Sequence, residues 1–304
     1  MKRRLLGIIM VLFFLVSCSQ QAVDIENGKN QLDKSTGDSR VNEPVKSAQP
    51  AFLPGGLRVH FIDVGQGDSI LVETPQRKTM LVDAGKNNKG DHVIKYIKSR
   101  GINKIDAVIG THPHEDHIGG MDKVIDTFDI GKIYMPKKST TTKTFEDLLH
   151  AIKNKGLKVN TAAAGVEINI DSSVEIQIIA PNSNDYEDLN NYSAVLKIRY
   201  IDTSFLLTGD AESISEKEML SGNYPLKSDV LKVGHHGSSS STTVKFLKAV
   251  SPKFAVISAG KGNEYMHPHE QTLNRLNAAG SQVFRTDESG TIVAESDGKT
   301  IKIK

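Results

Sequence analysis

The stretch Thr111-His112-Pro113-His114-Glu115-Asp116-His117-Ile118-Gly119-Gly120 places three histidines and an aspartate within six residues. A folded core has no use for so many imidazoles at one strand end, but a metal ion does. Neutral imidazole suits first-row divalent cations, and an adjacent carboxylate adds a hard anionic ligand. His112 and His114 alternate along an extended segment, with Pro113 stiffening the link, so both can turn to one ion while Asp116 and His117 face a second. More metal-competent residues follow other apolar runs: Asp83, Asn190 to Ser193, Asp210 and His235-His236. Asp210 is a candidate single-carboxylate bridge between ions. In an extended His235-His236 pair the side chains point to opposite faces, so one direct ligand is expected there, His236 ahead of His235. Two ions roughly 3.5–4 Å apart can share a hydroxide and clamp the attacking and leaving oxygens of an in-line displacement.

Other candidates act around that centre. Asp83 is expected to orient a ligand histidine from behind. Asp116 and Asp210 would position the ions and receive a proton, and His267 would contact phosphate or a leaving oxygen. The bland alternatives are helix caps for Asp210 and His267, the latter standing before a proline suited to a first helical turn. Ser238, in a serine-rich loop after Gly237, could bind phosphate or simply belong to a loop. Lys232 reads as facing solvent or the site edge, Gln66 and Asp68 as stabilising a turn, and His60, His92 and His150 as ordinary surface or packing residues.

The elements that must hold these groups are short. Strands are expected over Leu57 to Val64, Ser69 to Glu73, Thr79 to Asp83, Asp106 to Gly110 and Ile133 to Pro136, with helices over Asp91 to Arg100, Gly120 to Phe128 and Thr144 to Gly156. A second half repeats the style. Its strands are Val174 to Ala180, Ala194 to Tyr200, Ser204 to Thr208, Val230 to Val233, Phe254 to Ser258, Val283 to Thr286, Thr291 to Glu295 and Thr300 to Ile303. Its helices are Ser213 to Leu220, Thr242 to Ala249 and one opened by His267-Pro268-His269 that runs through Ala279. Two similar α/β halves with no composition shift between them imply one domain of two sheets faced by helices.

Upstream of that domain, residues 1–18 carry a basic Lys2-Arg3-Arg4, an apolar Leu5 to Val16 and a closing Leu15-Val16-Ser17-Cys18. This is signal-peptide architecture, too short to span a bilayer at roughly 20 residues per crossing. Its end resembles the lipobox of bacterial lipoproteins, in which Cys18, the chain's one cysteine, would be lipidated. Acyl chains would anchor the protein to a membrane, and the expected location is the extracytoplasmic face. Residues 19–56 are rich in Gln, Ser, Asn, Asp and Lys and read as a flexible tether, leaving 57–304 as the catalytic domain. The chain's formal net charge is +2, from 38 basic and 36 acidic residues. Lys2, Arg3 and Arg4 supply three of the basic ones, so without them 35 face 36, a net −1. Bulk charge therefore advertises no nucleic-acid partner, and no protein partner is implied.

The order of these loops resembles the metallo-β-lactamase superfamily, whose H-x-H-x-D-H motif is matched in full by His112, His114, Asp116 and His117. Leu81-Val82-Asp83-Ala84-Gly85 upstream and Leu206-Leu207-Thr208-Gly209-Asp210-Ala211 downstream extend the likeness over Leu57 to Lys304. Asp63 to Asp68, Asn191 to Leu196, Leu231 to Ser238 and His267-Pro268 narrow it to the ComEC-like branch. The resemblance implies a four-layer αββα sandwich, two divalent metal ions (Zn or Mn) and hydrolysis of phosphodiesters, with DNA as the expected substrate. No stretch here could form the multispanning channel of ComEC. Many superfamily members carry a third histidine for the first ion where this chain has Asn190 to Ser193. Its absence favours a harder ion such as Mn²⁺ over soft-metal chemistry, argues against a β-lactamase or glyoxalase, and leaves Asn191 or Ser193 free to meet a phosphate oxygen. The competing expectations are a hydrolase of another envelope substrate (a phosphorylcholine or teichoic acid esterase, or a lactonase) and a non-catalytic metal-binding surface module.

Overall fold

The computed structural model describes residues 55–304; the leader and almost all of the tether lie outside the described residues. Six strands open the domain: β1 (Leu57–Phe61), β2 (Ile70–Glu73), β3 (Thr79–Val82), β4 (Lys104–Ile109), β5 (Asp129–Met135) and β6 (Val159–Thr161). Six more follow: β7 (Glu175–Ala180), β8 (Val195–Tyr200), β9 (Thr203–Leu207), β10 (Val230–Lys232), β11 (Phe254–Ile257) and β12 (Gln282–Arg285). The chain closes with β13 (Ile292–Ser296) and β14 (Ile301–Ile303). They form one eight-stranded sheet in the order β14-β13-β1-β2-β3-β4-β5-β6 and one six-stranded sheet in the order β12-β11-β10-β9-β8-β7.

Period-two alternation assigns each strand's side chains to a layer. Leu57, Val59 and Phe61 of β1, Ile70 and Val72 of β2, and Met80 and Val82 of β3 point between the sheets. There they meet Leu196, Ile198, Phe205, Leu207 and Val256 of the second sheet. The intervening Leu71 and Leu81 point outward and are covered by helices. Strands buried on both faces read as near-continuous apolar runs, as β2 and β3 do, whereas β1 alternates, with Arg58 and His60 on its outer face.

The helices over the first sheet are α1 (Gly90–Ser99), the single turn α2 (Glu115–Ile118), α3 (Met121–Thr127) and α4 (Lys143–Asn154). Phe145, Leu148, Ala151 and Ile152 of α4 fall on one face and are buried. Thr142 caps that helix by accepting the Phe145 N–H at 3.3 Å. The second sheet is covered by α5 (Ser213–Ser221), α6 (Val244–Val250) and α7 (Glu270–Ala278); α8 (Thr286–Ser289) is a short connector. Met219, Phe246, Leu247, Val250 and Leu276 seal that outer face. The result is the four-layer αββα sandwich.

One strand escapes the sequence reading and one expectation is corrected. The edge strand β6 carries exposed or half-exposed Val159, Asn160 and Thr161, so it has no apolar signature to read. The helix expected from His267 starts at Glu270, with His269 at its N-cap position, so His267 and Pro268 belong to the preceding turn. The parallel strands β3 to β6 and β9 to β12 run the same way within their sheets. The loops after β3, β4, β9 and β10 carry Asp83, His112 to His117, Asp210 and His235-His236, at the carboxyl strand ends where α/β sheets place their sites.

Candidate metal centre

Asp83 is fully buried and braces the loop after β4. Its Oδ1 accepts the Thr111 N–H at 2.8 Å, and its Oδ2 accepts the Thr111 hydroxyl at 2.7 Å. The same Oδ2 lies 2.8 Å from His117 Nδ1, which leaves His117 Nε2 to face inward. This is the geometry a carboxylate needs to orient an imidazole from behind. On the inner side, His117 Nε2 is 3.2 Å and His112 Nε2 3.9 Å from Asp210 Oδ2. His112 Nε2 also sits 2.9 Å from His114 Nδ1, at the mouth of the cluster. Asp210 is fixed from behind, where its backbone N–H donates to Ser193 Oγ at 3.0 Å. It does not cap α5, whose N-cap position is Glu212.

The His235-His236 pair is not extended. Both residues take positive φ, 46° and 53°, in the tight turn Gly234–Gly237, a conformation that costs energy for residues with a Cβ and is held by its surroundings. Both side chains reach the same cleft, at different depths. His236 is buried, with Nε2 3.3 Å from Asp116 Oδ2 and 3.4 Å from Asp210 Oδ2. Its Nδ1 lies 3.0 Å from the Ser258 carbonyl. His235 stands at the rim, with Nε2 3.9 Å from Asp210 and Nδ1 2.9 Å from Glu212 Oε1.

Three sets of donor atoms close enough to hold a cation all contain His117: His112, His117 and Asp210; Asp116, His117 and His236; and, behind them, Asp68, Asp83 and His117. That grouping differs from a simple split of His112 and His114 against Asp116 and His117. His117 Nε2, His236 Nε2 and Asp210 Oδ1 are buried without a hydrogen bond of acceptable geometry, although carboxylate oxygens stand close by. Buried polar atoms are ordinarily paired, and inward-facing orphans of this kind fit an electrophile shared between them. The charge count agrees. Asp68, Asp83, Asp116 and Asp210 converge on the centre, and the one buried ammonium among them is Lys232.

Electrostatics respond to that excess. Burial opposes protonation of His117, but Asp210, Asp83 and Asp116 raise its pKa well above the usual value. Burial likewise opposes protonation of His236, and Asp210, Asp116 and Asp68 push it up to about 10. Burial would raise the pKa of Asp116, but His117 and His236 hold it well below the carboxylate range. The site wants positive charge and, without a cation, takes it from protons.

Several residues differ from their sequence reading. Lys232 faces neither solvent nor the site edge. It is fully buried, pairs with Asp68 Oδ2 at 2.9 Å and donates to the Val233 carbonyl at 2.9 Å. Asp68 does more than shape a turn, since its other oxygen lies 3.5 Å from His236 Nδ1. The turn that carries it needs glycine: at Gly67, φ is +140° and a Cβ would sit 2.2 Å from the Asp116 carbonyl oxygen. Asn191 does not meet the cleft, because its Oδ1 accepts the Glu212 and Ser215 N–H groups at 3.3 and 3.2 Å, satisfying the start of α5. Ser193 stands behind His112, 3.3 Å from Nδ1. Ser238 also turns away from the cleft, its hydroxyl engaged with Ser240 Oγ at 2.8 Å. His60, by contrast, keeps its packing role: it is buried 2.8 Å from Glu73, in a cluster on the outer face of the first sheet.

The centre opens into a cleft of about 300 Å³, walled by His114, Asp116, Asp210, His235, His236 and His267. Gln66, Lys86, Glu115 and Tyr265, none of them singled out as site residues from the sequence, complete it. His267 is neutral at pH 7: burial and the neighbouring His235, His236 and His269 lower its pKa to about 4. Glu212, which supports His235 as Asp83 supports His117, also went unread. Its position two residues after Asp210 was the available signal.

The family model described as "Metallo-beta-lactamase superfamily" matches residues 62–261. ComE operon protein 3 of Bacillus subtilis (strain 168) is 35% identical over 251 residues, covering 77% of this chain and 32% of that protein. Competence protein ComA of Neisseria gonorrhoeae is 32% identical over 250 residues, covering 81% and 33%. The chain spans about a third of the length of these curated relatives. Among solved structures, CmlA, a diiron β-hydroxylase from Streptomyces venezuelae, shares the fold with a TM-score of 0.51 at 15% identity, over 76% of this chain and 53% of that one. The chain belongs to the metallo-beta-lactamase superfamily, as a ComEC-like metal-dependent hydrolase.

Proposed function

We propose that the protein is a phosphodiesterase that uses two divalent ions and acts on DNA, tethered through lipidated Cys18 at the extracytoplasmic membrane face. The observation that carries the activity is the pairing of an anion-rich donor cluster with a cleft offering Lys86, Gln66 and His267. Phosphate needs such donors beside a cation centre. The names of the relatives, ComE operon protein 3 and Competence protein ComA, support DNA over other phosphodiesters. The leader sequence and Cys18 support the location.

His112, His114, Asp116, His117, Asp210 and His236 would hold the ions, with His235 at the rim. When bound, such ions supply Lewis acidity and a nucleophilic water at neutral pH. Asp116 stays ionised, which suits holding cations better than accepting a proton. Neutral His267 keeps an imidazole N–H to donate to a phosphate or leaving oxygen. Ser193 behind His112, where a third imidazole is common, favours a harder ion such as Mn²⁺ over Zn²⁺.

One observation favours a second reading. Lys86 is the single Lys or Arg in the cleft wall, beside acidic Glu115, and that suits a small envelope phosphodiester such as a phosphorylcholine or teichoic acid ester. Incubation of the purified chain with plasmid and single-stranded DNA plus Mn²⁺ should yield fragments, and a chelator should abolish them. Bound metal with no cleavage of DNA or of bis-aryl phosphodiesters would end the phosphodiesterase reading and move lactone and lactam substrates forward.

A further inference from the structure

One wall of the cleft is left unused by hydrolysis itself. The turn from Gly260 to His267 lifts Tyr265 and Met266 to 52% and 79% exposure, and Tyr265 lines the cleft beside the donor cluster. Exposed apolar residues are normal when scattered singly; Tyr265 instead stands on the wall of a reaction cleft, next in sequence to exposed Met266. The turn is firmly built. The Asn263 amide donates to the Gly260 and His267 carbonyls at 2.9 and 2.6 Å and accepts the His267 N–H at 3.0 Å. The Met266 N–H closes on the Asn263 carbonyl at 3.1 Å, and Gln66 Oε1 accepts the Gly260 N–H at 3.2 Å. Met266 has φ +55°, a left-handed conformation rare for a residue with a side chain and retained only where its surroundings enforce it. The Tyr265 ring lies at 25° to His267, with centroids 5.7 Å apart, so it stands beside the imidazole offered to the substrate.

We propose that Tyr265 is a stacking platform for the nucleobase next to the scissile phosphate, and that the cleft therefore takes single-stranded DNA. The proposal rests on the phosphodiesterase reading and specifies its substrate. An aromatic face stacks any base, which gives binding without sequence preference. In a duplex each base is already stacked and paired, so reaching Tyr265 would require unstacking. The cleft has a volume of about 300 Å³, and Tyr265 lies on its wall beside the donor cluster, where one base would meet the ring. Lys86, on the same cleft, gives the backbone phosphate its cation.

The test compares kcat/KM, in the full chain with Mn²⁺, for a single-stranded deoxyoligonucleotide, its blunt duplex, and a strand whose cleaved linkage is flanked by abasic sites. Wild type should favour the single strand over the duplex. It should favour the base-bearing over the abasic strand by roughly ten- to hundred-fold, the scale of one base–aromatic stack. Tyr265→Ala should collapse the base-to-abasic ratio towards one, and Tyr265→Phe should keep it, because the ring and not the hydroxyl stacks. A ratio retained in Tyr265→Ala, a ratio lost equally in Tyr265→Phe, or a duplex cut as fast as the single strand would overturn the proposal. An abasic strand cut as fast as the base-bearing one by wild type would overturn it alone. If wild type cuts no strand and no bis-aryl phosphodiester, the phosphodiesterase reading falls first and takes the proposal with it.

Discussion

Two buried clusters in this protein are built from the same side chains and reach opposite outcomes. On the outer face of the first sheet, His60 contacts Glu73 at 2.8 Å and the Tyr96 hydroxyl at 2.8 Å, Arg100 reaches Glu73 at 3.0 Å, and Arg58 reaches Glu295 at 3.0 Å. Two carboxylates meet two guanidiniums, and none of these residues lines the reaction cleft. At the carboxyl strand ends, four carboxylates and several imidazoles meet one ammonium. Burial and histidine content do not separate a structural network from a metal centre. Charge balance does.

That contrast can be broken in several ways, taken here from the largest expected effect down. Lys232→Met removes the ammonium that pairs with buried Asp68 and should destabilise the fold by about 3–5 kcal/mol in urea unfolding, with Lys232→Met/Asp68→Leu recovering most of it. Asp210→Asn should lower kcat/KM by about 10²–10³-fold, the scale of losing one preorganised electrostatic contact, with the fold retained. Asp83→Asn keeps the shape behind His117 but removes the charge, and should weaken metal affinity by about 10–100-fold by metal titration. Glu73→Gln in the outer cluster should cost about 1–3 kcal/mol of stability with bound metal equal to wild type. Metal loss in that variant would merge the two clusters functionally.

The smallest and most discriminating effect is the sign of the pH dependence in metal-free protein. Burial lowers the folded-state pKa of His60 below 6.5, against the pull of Glu73, so the unfolded chain binds more protons and stability falls as pH drops through and below 6.5. For His236, burial is outweighed by Asp210, Asp116 and Asp68, and the folded pKa stands at about 10. Its contribution is present below about 6.5 and is lost as pH rises towards 10. His60→Gln should flatten the acid arm of the stability profile and His236→Gln the alkaline arm. Because a metal must displace the His236 proton, metal affinity should rise over the same alkaline window.

The sandwich and the ligand loop were readable from sequence because both rest on local signals: apolar runs between turn residues, and H-x-H-x-D-H directly after a strand. What escaped depends on distant pairing. Lys232 sits in a strand and Asp68 in a glycine turn, and nothing in either neighbourhood says that the fold buries one against the other. Asn191 lies in a segment with the right polar chemistry but spends its amide on α5, a choice set by helix placement. The left-handed backbone at His235 and His236 overturned a reading based on extended alternation. β6 went unseen because an edge strand of exposed polar residues has no pattern to find. Tyr265 and Lys86 became visible only when their loops were brought to one cleft.

The central claim is that the carboxylate excess around His117 belongs to divalent cations. Elemental analysis of the purified full-length chain, beside His117→Ala, tests it, because His117 belongs to all three donor sets. About two divalent ions per wild-type chain are expected, with near-complete loss in a folded His117→Ala variant. A metal-free wild type after growth with added Mn²⁺ and Zn²⁺, or full occupancy retained in His117→Ala, would contradict it.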